Sequence, residues 1–310
     1  PSVPRCPRTR PACCCSAPAN SARRSRSSCS ASAKISTLGG YIFEYQKSVT
    51  NPIGFWSNIA ESFYWRKKWE CALDWDFTKG HIKWFEGAKL NITENIFERH
   101  IFFRGNQPAI IWEPNDPTEQ GRTLTYNELF AEVKKFANVL RNMVIQKGDR
   151  VAIYLPMVPE LTIAMLACAR IGAIHSIVFA GFSSQSLGEQ MLDASAKLLI
   201  TSDGGFRGAK TIPIKKIADE AMSMCNCMKQ CIILKRTGEE INLINGRDFW
   251  WHDLMKDISD INEAEEMDAE DPLYILYTSG STGKPKGLVH TTGGYMVYTA
   301  YTFRNVFQYG

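Results

Sequence analysis

Residues 151–201 read VAIYLPMVPELTIAMLACARIGAIHSIVFAGFSSQSLGEQMLDASAKLLIT. Within this segment, short apolar runs typical of strands buried on both faces alternate with segments typical of helices. The strand-like runs are 151–155, 175–179 and 197–201, and the helix-like segments are 159–173 and 184–194. Strands separated by helices imply right-handed crossovers and a parallel sheet that is covered on both faces. The sequence therefore predicts an α/β fold.

The same alternation continues on both sides of this segment. Upstream, Thr125 and Glu128 form a capping box ahead of apolar residues at helical spacing. Downstream, the pattern predicts a helix at 213–224, a strand at 231–235, a helix at 246–256 and a strand at 273–277. We expect mainly parallel sheets with helices on both faces. Because ligands bind beyond the carboxyl ends of strands in such sheets, the loops after Phe179, Thr201 and Tyr277 are candidate binding loops.

The charge distribution excludes one class of partner. The formal net charge of the 310 residues is +4, but residues 1–40 contain six arginines, one lysine and no acidic residue, so the remainder carries −3. The body thus lacks the basic face that nucleic-acid binding requires. The apolar run 161–169 is also much shorter than the roughly 20 residues of a membrane-spanning helix. We expect neither a nucleic-acid nor a membrane partner, and no feature indicates an oligomeric state.

Residues 1–40 are predicted to be a disordered basic tail. Val3 is the one large aliphatic residue in 1–33, so this part cannot bury enough surface to offset the entropy of ordering. An arginine-rich, serine-rich and acid-free tail also resembles a transit peptide, but its five prolines oppose an amphipathic helix. We therefore expect a cytoplasmic protein, with the mitochondrial matrix as the alternative, and an artefactual or linker tail.

Neither cysteine cluster predicts a metal site. Cys13, Cys14 and Cys15 are adjacent and cannot easily converge on one tetrahedral ion. The second cluster, Cys225 with Cys227 and Cys231, has no histidine nearby, so we expect ordinary cysteines between a helix and a strand. The expected metal-ligand set is none.

Residues 41–100 form an aromatic, irregular segment with five tryptophans between positions 56 and 84. Such side chains need a surface to pack against. We interpret the segment as wrapping a larger domain, residues 101–310, and the alternative is a ligand-binding face.

The motif with the clearest chemistry is 277–287, YTSGSTGKPKG, directly after a predicted strand. Its glycines allow the backbone to approach a ligand, its hydroxyls donate hydrogen bonds, and Lys284 and Lys286 add positive charge. Turn amides, hydroxyls and ammonium groups together bind polyphosphates. The loop is not a Walker loop, because only two residues separate Gly280 from Gly283 and a proline follows Lys284. The alternative is a polar surface loop.

The longer stretch 277–295, YTSGSTGKPKGLVHTTGGY, resembles the phosphate loop of adenylate-forming enzymes, and its HTTGGY ending is similar to the acetyl-CoA synthetases among them. Similarity to that family extends from about Tyr41 to the last residue and includes 83–91, 155–181 and 202–210. The resemblance implies an acetate–CoA ligase that converts ATP, acetate and coenzyme A to acetyl-CoA, AMP and diphosphate through acetyl adenylate, with Mg²⁺. It also implies that 101–310 is an AMP-binding (adenylation) domain truncated at its C-terminal side.

The resemblance implies two sets of binding residues. The ATP phosphates would meet Thr278, Ser279, Gly280, Ser281, Thr282, Gly283, Lys284 and Lys286, with Lys284 and Thr282 catalytic. Coenzyme A would meet Phe179, Gly181, Arg207, Gly208, Ala209 and Lys210. The alternative for Arg207 and Lys210 is that both cations simply face solvent. For His290, which stands near the loop, we expect a packing or hydrogen-bonding role rather than that of a general base.

Two other functions remain open from the sequence. Family members continue well beyond Gly310, so we expect this chain to be a fragment that is inactive alone. The acyl pocket would lie in the missing part, which leaves a propionate or acetoacetate enzyme as one alternative. The other is a noncatalytic nucleotide-binding fragment.

Overall fold

The computed structural model describes residue 35 and residues 37–208, 210–278 and 285–307. Its helices are α1 (Leu38–Thr50), α2 (Pro52–Ala60), α3 (Ile92–Ile96), α4 (Ile101–Arg104), α5 (Tyr126–Asn142), α6 (Pro159–Arg170), α7 (Ser184–Asp193), α8 (Ile214–Ser223), α9 (Trp251–Met255) and α10 (Thr292–Asn305), and Phe77–Lys79 form a 3-10 turn. Its strands are β1 (Cys71–Asp76), β2 (His81–Glu86), β3 (Lys89–Leu90), β4 (Pro108–Trp112), β5 (Arg122–Thr125), β6 (Arg150–Ile153), β7 (Ile174–Ile177), β8 (Leu198–Ser202), β9 (Gly205–Arg207), β10 (Lys210–Ile212), β11 (Gln230–Leu234), β12 (Asp248–Trp250), β13 (Met267–Asp268), β14 (Pro272–Thr278) and β15 (Lys286–Thr291). Of the predicted tail, residues 1–40, the structure describes residue 35 and residues 37–40, and α1 already begins at Leu38, so the tail prediction extends too far at its C-terminal end. The other residues of the predicted tail lie outside the described residues.

A mainly parallel sheet forms the centre of the described part of the chain. Its seven strands there lie in the order β12, β11, β8, β6, β7, β14, β15. Every neighbouring pair is parallel except β14 and β15, which are antiparallel. The predicted α/β fold class is confirmed.

The central sheet is covered on both faces because successive strand residues point to opposite sides. Val151 and Ile153 of β6 pack in one apolar cluster with residues of α5 and α6. Ala152 and Tyr154 belong to a second cluster with residues of α7 and α8. Continuous apolar strands are the expected sequence for such a two-sided burial.

The aromatic N-terminal segment packs on itself and on α10. Trp65, Trp69 and Phe85 have ring centroids 5.1 to 5.3 Å apart. The ring of Trp56 packs against that of Tyr301 of α10, with the two ring centroids 5.5 Å apart. These contacts support the interpretation that the segment wraps the larger domain.

Two elements differ from the sequence prediction. Residues 246–256 are not one helix, because Asp248–Trp250 form the edge strand β12, with Asp248 opposite Cys231 of β11. The aromatic residues Phe249 and Trp250 suit a strand, and Lys215 fixes the start of β12 through a 3.0 Å ion pair with the buried Asp248 carboxylate. The second difference is β15, which the sequence analysis did not predict because its residues are mostly exposed and carry no clear alternation.

The cysteines near β11 also differ from expectation in one respect. Cys225 and Cys227 are joined in a disulfide, whereas Cys231 is a buried free thiol. Within the described ranges, no group of three or more His, Cys, Asp or Glu side chains could hold a metal ion.

Candidate functional site

The candidate binding loops meet at one edge of the central sheet. β7 is parallel to both β6 and β14, and β6 is parallel to β8. The carboxyl ends of these strands therefore face the same way, and the loops after β7, β8 and β14 leave the sheet on the same side. This is the position at which open α/β sheets bind ligands.

The candidate phosphate loop begins and ends at this edge. Thr278 closes β14 and lies opposite Lys286, the first residue of β15, and both side chains are exposed. Six of the predicted phosphate-binding residues lie outside the described residues: Ser279, Gly280, Ser281, Thr282, Gly283 and Lys284. Their binding of ATP phosphates, and the catalytic roles of Thr282 and Lys284, stay predictions.

Tyr277 ties the end of β14 to a neighbouring helix. Its hydroxyl donates to Asp193 Oδ2 at 2.6 Å, and Asp193 is the last residue of α7. Burial, together with the neighbouring Asp193 carboxylate, raises the pKa of the Tyr277 hydroxyl, so it stays protonated and can donate. No local sequence pattern indicated this hydrogen bond, because 84 residues separate the two partners.

Three of the six predicted coenzyme A residues line a second feature of this edge, a cavity of about 330 Å³. Phe179, Gly181 and Arg207 line it, together with Trp112 and Arg236. A side chain at Gly181 would force the Phe179 ring to move, since its Cβ would stand 2.6 Å from Phe179 Cε1. The structure thus brings together residues from the loops after β7 and β8, as the sequence analysis expected.

Arg207 and Lys210 lie at the tip of the small hairpin formed by β9 and β10. They are opposite each other in the register, both are exposed, and among the described residues neither forms an ion pair with a carboxylate. Gly208 between them has a φ of +60°, a left-handed conformation that favours glycine. Asn115 holds this turn by donating to the Gly208 carbonyl at 2.7 Å. Ala209, also predicted to contact coenzyme A, lies outside the described residues.

Asp203 organises the loops behind this hairpin and was missed by the sequence analysis. Its carboxylate is buried and accepts hydrogen bonds of 2.7 to 3.1 Å from the backbone N–H groups of Gly204, Arg236, Thr237 and Gly238. One carboxylate therefore joins the segment after β8 to the segment after β11. A polar residue directly after a buried strand was the available sign in the sequence, but three of its four partners, Arg236, Thr237 and Gly238, are 33 to 35 residues away.

Arg236 is the second residue that the sequence analysis missed. Its guanidinium donates to both carboxylate oxygens of Glu119, at 2.9 and 2.7 Å. It also lies over two aromatic rings, 5.3 Å from the centroid of Trp112 and 4.8 Å from that of Phe206. Both rings line the cavity.

His290 has the packing role that was expected for it. Its ring stacks on Tyr274 with centroids 4.4 Å apart, and Tyr274 stacks in turn on His175 of β7 at 5.5 Å. These three rings cross three neighbouring strands on one face of the sheet.

Comparison with known proteins identifies the family. Residues 97–310 match the family model described as AMP-binding enzyme, and residues 41–96 match the model described as acetyl-coenzyme A synthetase N-terminus. No helix in the described part of the chain is long and apolar enough to cross a membrane.

Individual relatives agree with these models. The chain is 50% identical over 266 residues to an acetyl-coenzyme A synthetase of Magnetococcus marinus and 51% identical over 266 residues to one of Alcanivorax borkumensis, covering 86% of this chain and 41% of each relative. The chain therefore spans less than half the length of these relatives. A solved structure of an acetoacetyl-CoA synthetase from Streptomyces lividans superposes with a TM-score of 0.80 at 27% identity, over 88% of this chain and 41% of that one. From the family matches and the shared fold, we conclude that this chain belongs to the AMP-binding, adenylate-forming enzyme family and carries an N-terminal segment of the acetyl-coenzyme A synthetase type.

Proposed function

We propose that this chain supplies the N-terminal part of an AMP-forming acetate–CoA ligase. The reaction would join acetate to the α-phosphate of ATP with loss of diphosphate, and the thiol of coenzyme A would then displace AMP from acetyl adenylate. The observation that carries the proposal is 50% identity over 86% of the chain to proteins named acetyl-coenzyme A synthetase.

In the first step, the loop between β14 and β15 would bind the β- and γ-phosphates of ATP. These phosphates are the leaving group, so donors that bind the developing charge on diphosphate more strongly than they bind ATP lower the barrier. Lys284 and Thr282 would be the main donors, with Thr278, Ser279, Ser281 and Lys286 beside them and Gly280 and Gly283 admitting the backbone. The position of Thr278 and Lys286 at the carboxyl edge of the sheet supports this assignment.

In the second step, coenzyme A would enter beside the hairpin of β9 and β10. Arg207 and Lys210 would pair with its phosphates, and Phe179, Gly181, Gly208 and Ala209 would contact its less polar parts. The exposure of the two cations and their freedom from carboxylate partners among the described residues support the proposal.

Mg²⁺ would be held mainly by the nucleotide in this proposal. Mg²⁺ usually keeps several water ligands and binds through substrate phosphates and one or two protein groups. The ion would neutralise phosphate charge, and the loop hydroxyls Thr278, Ser281 and Thr282 are the chain's own oxygen donors near it.

We also propose the domain limits and the compartment. A tail at 1–40, an N-terminal segment at 41–100 and an adenylation domain from 101 onward agree closely with the family matches at 41–96 and 97–310. The compartment would be the cytoplasm, because the prolines of residues 1–33 oppose the amphipathic helix of a mitochondrial transit peptide.

The second candidate substrate is acetoacetate. The similarity of the fold to an acetoacetyl-CoA synthetase, with a TM-score of 0.80, favours it. The lower identity of 27%, against 50% for the acetate enzymes, makes acetate the preferred substrate.

The proposal can be tested with a hybrid enzyme. Residues 41–310 would replace the matching part of the Magnetococcus marinus acetyl-coenzyme A synthetase, and exchange of labelled diphosphate into ATP would be measured with acetate or acetoacetate. We expect acetate-dependent exchange. The acyl pocket of the hybrid comes from the relative, so the assay tests whether residues 41–310 supply the ATP-binding part of such a ligase. No exchange with acetate, in a hybrid whose melting curve shows that it is folded, would contradict the proposal.

A companion variant tests the phosphate loop. In the hybrid, Lys284→Ala should lower the exchange rate about a hundredfold because it removes a donor to the leaving group. Acetyl transfer from supplied acetyl adenylate to coenzyme A should change far less. Lys68→Ala, at an exposed lysine paired with Glu61, is the matched control. Equal losses in both half-reactions would mean that Lys284 is only structural.

A further inference from the structure

The hairpin that carries Arg207 and Lys210 needs support from side chains. β9 pairs with β10 alone, so within the described residues this two-stranded unit is not hydrogen-bonded into the central sheet. Phe206 and Arg207 are exposed at its tip. Because two strands by themselves are marginally stable in water, contacts from other elements must set the direction of the tip.

Arg236 supplies such a contact. Its guanidinium lies between Phe206 of the hairpin and Trp112 of β4, 4.8 and 5.3 Å from the two ring centroids. The indole of Trp112 is itself fixed by donating through Nε1 to the Met157 carbonyl at 2.8 Å. Arg236 therefore links the hairpin to a ring that is anchored in the body of the domain.

Both the backbone and the side chain of Arg236 are held in place by hydrogen bonds. Its backbone N–H donates to the buried Asp203 carboxylate at 2.7 Å. Its side chain, 15% exposed, is held by both carboxylate oxygens of Glu119. Since Glu119 already neutralises this cation, Arg236 is poorly suited to bind a phosphate directly, whereas Arg207 remains unpaired among the described residues.

We propose that Arg236 is a positioning residue for coenzyme A, and that it acts by stacking on Phe206 and thereby fixing the hairpin that presents Arg207 and Lys210. The part of this inference that concerns coenzyme A rests on the proposed function. The part that concerns the hairpin does not depend on any ligand.

The first test therefore uses no ligand. Hydrogen exchange of backbone amides is compared between the 310-residue chain and its Arg236→Ala variant. We expect hairpin amides at 205–212 to exchange about tenfold faster, because two cation–π contacts and an ion pair are lost, while β8 and β11 keep their protection. Unchanged hairpin exchange, or an equal increase in β8 and β11, would overturn the proposal.

Two further variants sharpen this measurement. Arg66→Ala is the matched control, since Arg66 also donates through two nitrogens to a glutamate, Glu94, but lies in the N-terminal segment. It should leave the hairpin exchange unchanged. Arg236→Lys keeps the charge but loses the planar guanidinium, so it should restore protection only in part.

The second test measures coenzyme A binding by calorimetric titration of the 310-residue chain. Arg236→Ala should weaken binding about tenfold, and adding it to a variant that already carries both Arg207→Ala and Lys210→Ala should weaken binding no further, because the hairpin then presents neither cation. Additive losses would show that Arg236 contacts the ligand itself and would overturn the positioning role. If the unaltered chain does not bind coenzyme A, the proposed coenzyme A site fails, and hydrogen exchange still decides whether Arg236 positions the hairpin.

Discussion

His175 illustrates how burial changes the chemistry of a single residue. It lies on β7, is 5% exposed and stacks on Tyr274. Its Nδ1 has no hydrogen-bond partner among the described residues. Burial lowers the pKa of His175 from its ordinary 6.5 to about 4, so the ring is neutral at physiological pH. A histidine in a strand near a phosphate loop could suggest catalysis, but this one is a packed ring.

The lowered pKa of His175 predicts that the free energy of unfolding falls in acid. The unfolded chain binds a proton on His175 as the pH falls through 6.5, whereas the folded chain does so only near pH 4. The contribution of the buried, neutral His175 ring to the free energy of unfolding is therefore complete above pH 6.5. It is lost as the pH falls towards 4, by at most about 3 kcal/mol. His175→Phe keeps a ring against Tyr274 and should flatten the dependence of the free energy of unfolding on pH in this range.

Urea unfolding at pH values from 4 to 7 measures this dependence, with pH 6.5 as the point where the loss should begin. His252→Ala is the control, because His252 is 56% exposed and should leave the slope unchanged. The same slope in His175→Phe and in the unaltered chain would contradict the assignment.

At the scale of elements, local sequence was sufficient where the stabilising contacts are local. The capping box expected from Thr125 and Glu128 is present: Glu128 N–H donates to Thr125 Oγ1 at 3.3 Å, and Thr125 N–H donates to Glu128 Oε2 at 2.8 Å. The helix α5 begins at the next residue. β12 was predicted wrongly because its pairing with β11 and the contact of Asp248 with Lys215 join distant parts of the chain.

The capping box can be tested by removing its hydroxyl. Thr125→Ala leaves an amide of the first turn of α5 without its acceptor, so the free energy of unfolding should fall by about 1 kcal/mol. Thr125→Ser keeps the hydroxyl and should retain most of the stability. Chemical denaturation of the three proteins at neutral pH measures the difference, and equal stability of the alanine and serine variants would show that the cap contributes nothing.

At the scale of the whole molecule, the central sheet places the candidate binding segments at one edge. The parallel strands bring the phosphate loop and the hairpin of β9 and β10 to one edge. The relatives are more than twice as long as the matched region, which is 41% of their length. Positioning two substrates for reaction requires groups on both sides of them.

We therefore expect the 310-residue chain by itself not to exchange labelled diphosphate into ATP in the presence of acetate. The Magnetococcus marinus relative, assayed in parallel, is the positive control. Acetate-dependent exchange above the blank by the purified chain would refute this expectation and would mean that the phosphate loop and its neighbours are sufficient for adenylate formation.

The sequence alone determined the fold class and the order of most central strands and helices, and it indicated the loops at the carboxyl edge of the sheet that we propose as binding segments. It could do so because burial of parallel strands, helix capping and the glycine–hydroxyl–lysine loop are all written in neighbouring residues. Only the tertiary structure revealed the strand β12, the tie between Tyr277 and Asp193, and the contacts of Asp203 and Arg236. These features depend on side chains that are 30 or more residues apart in some cases and over 100 in others. Such partners meet only after the chain has folded, so a local pattern can indicate a strand or a polar residue at a strand end but not the partner that it contacts.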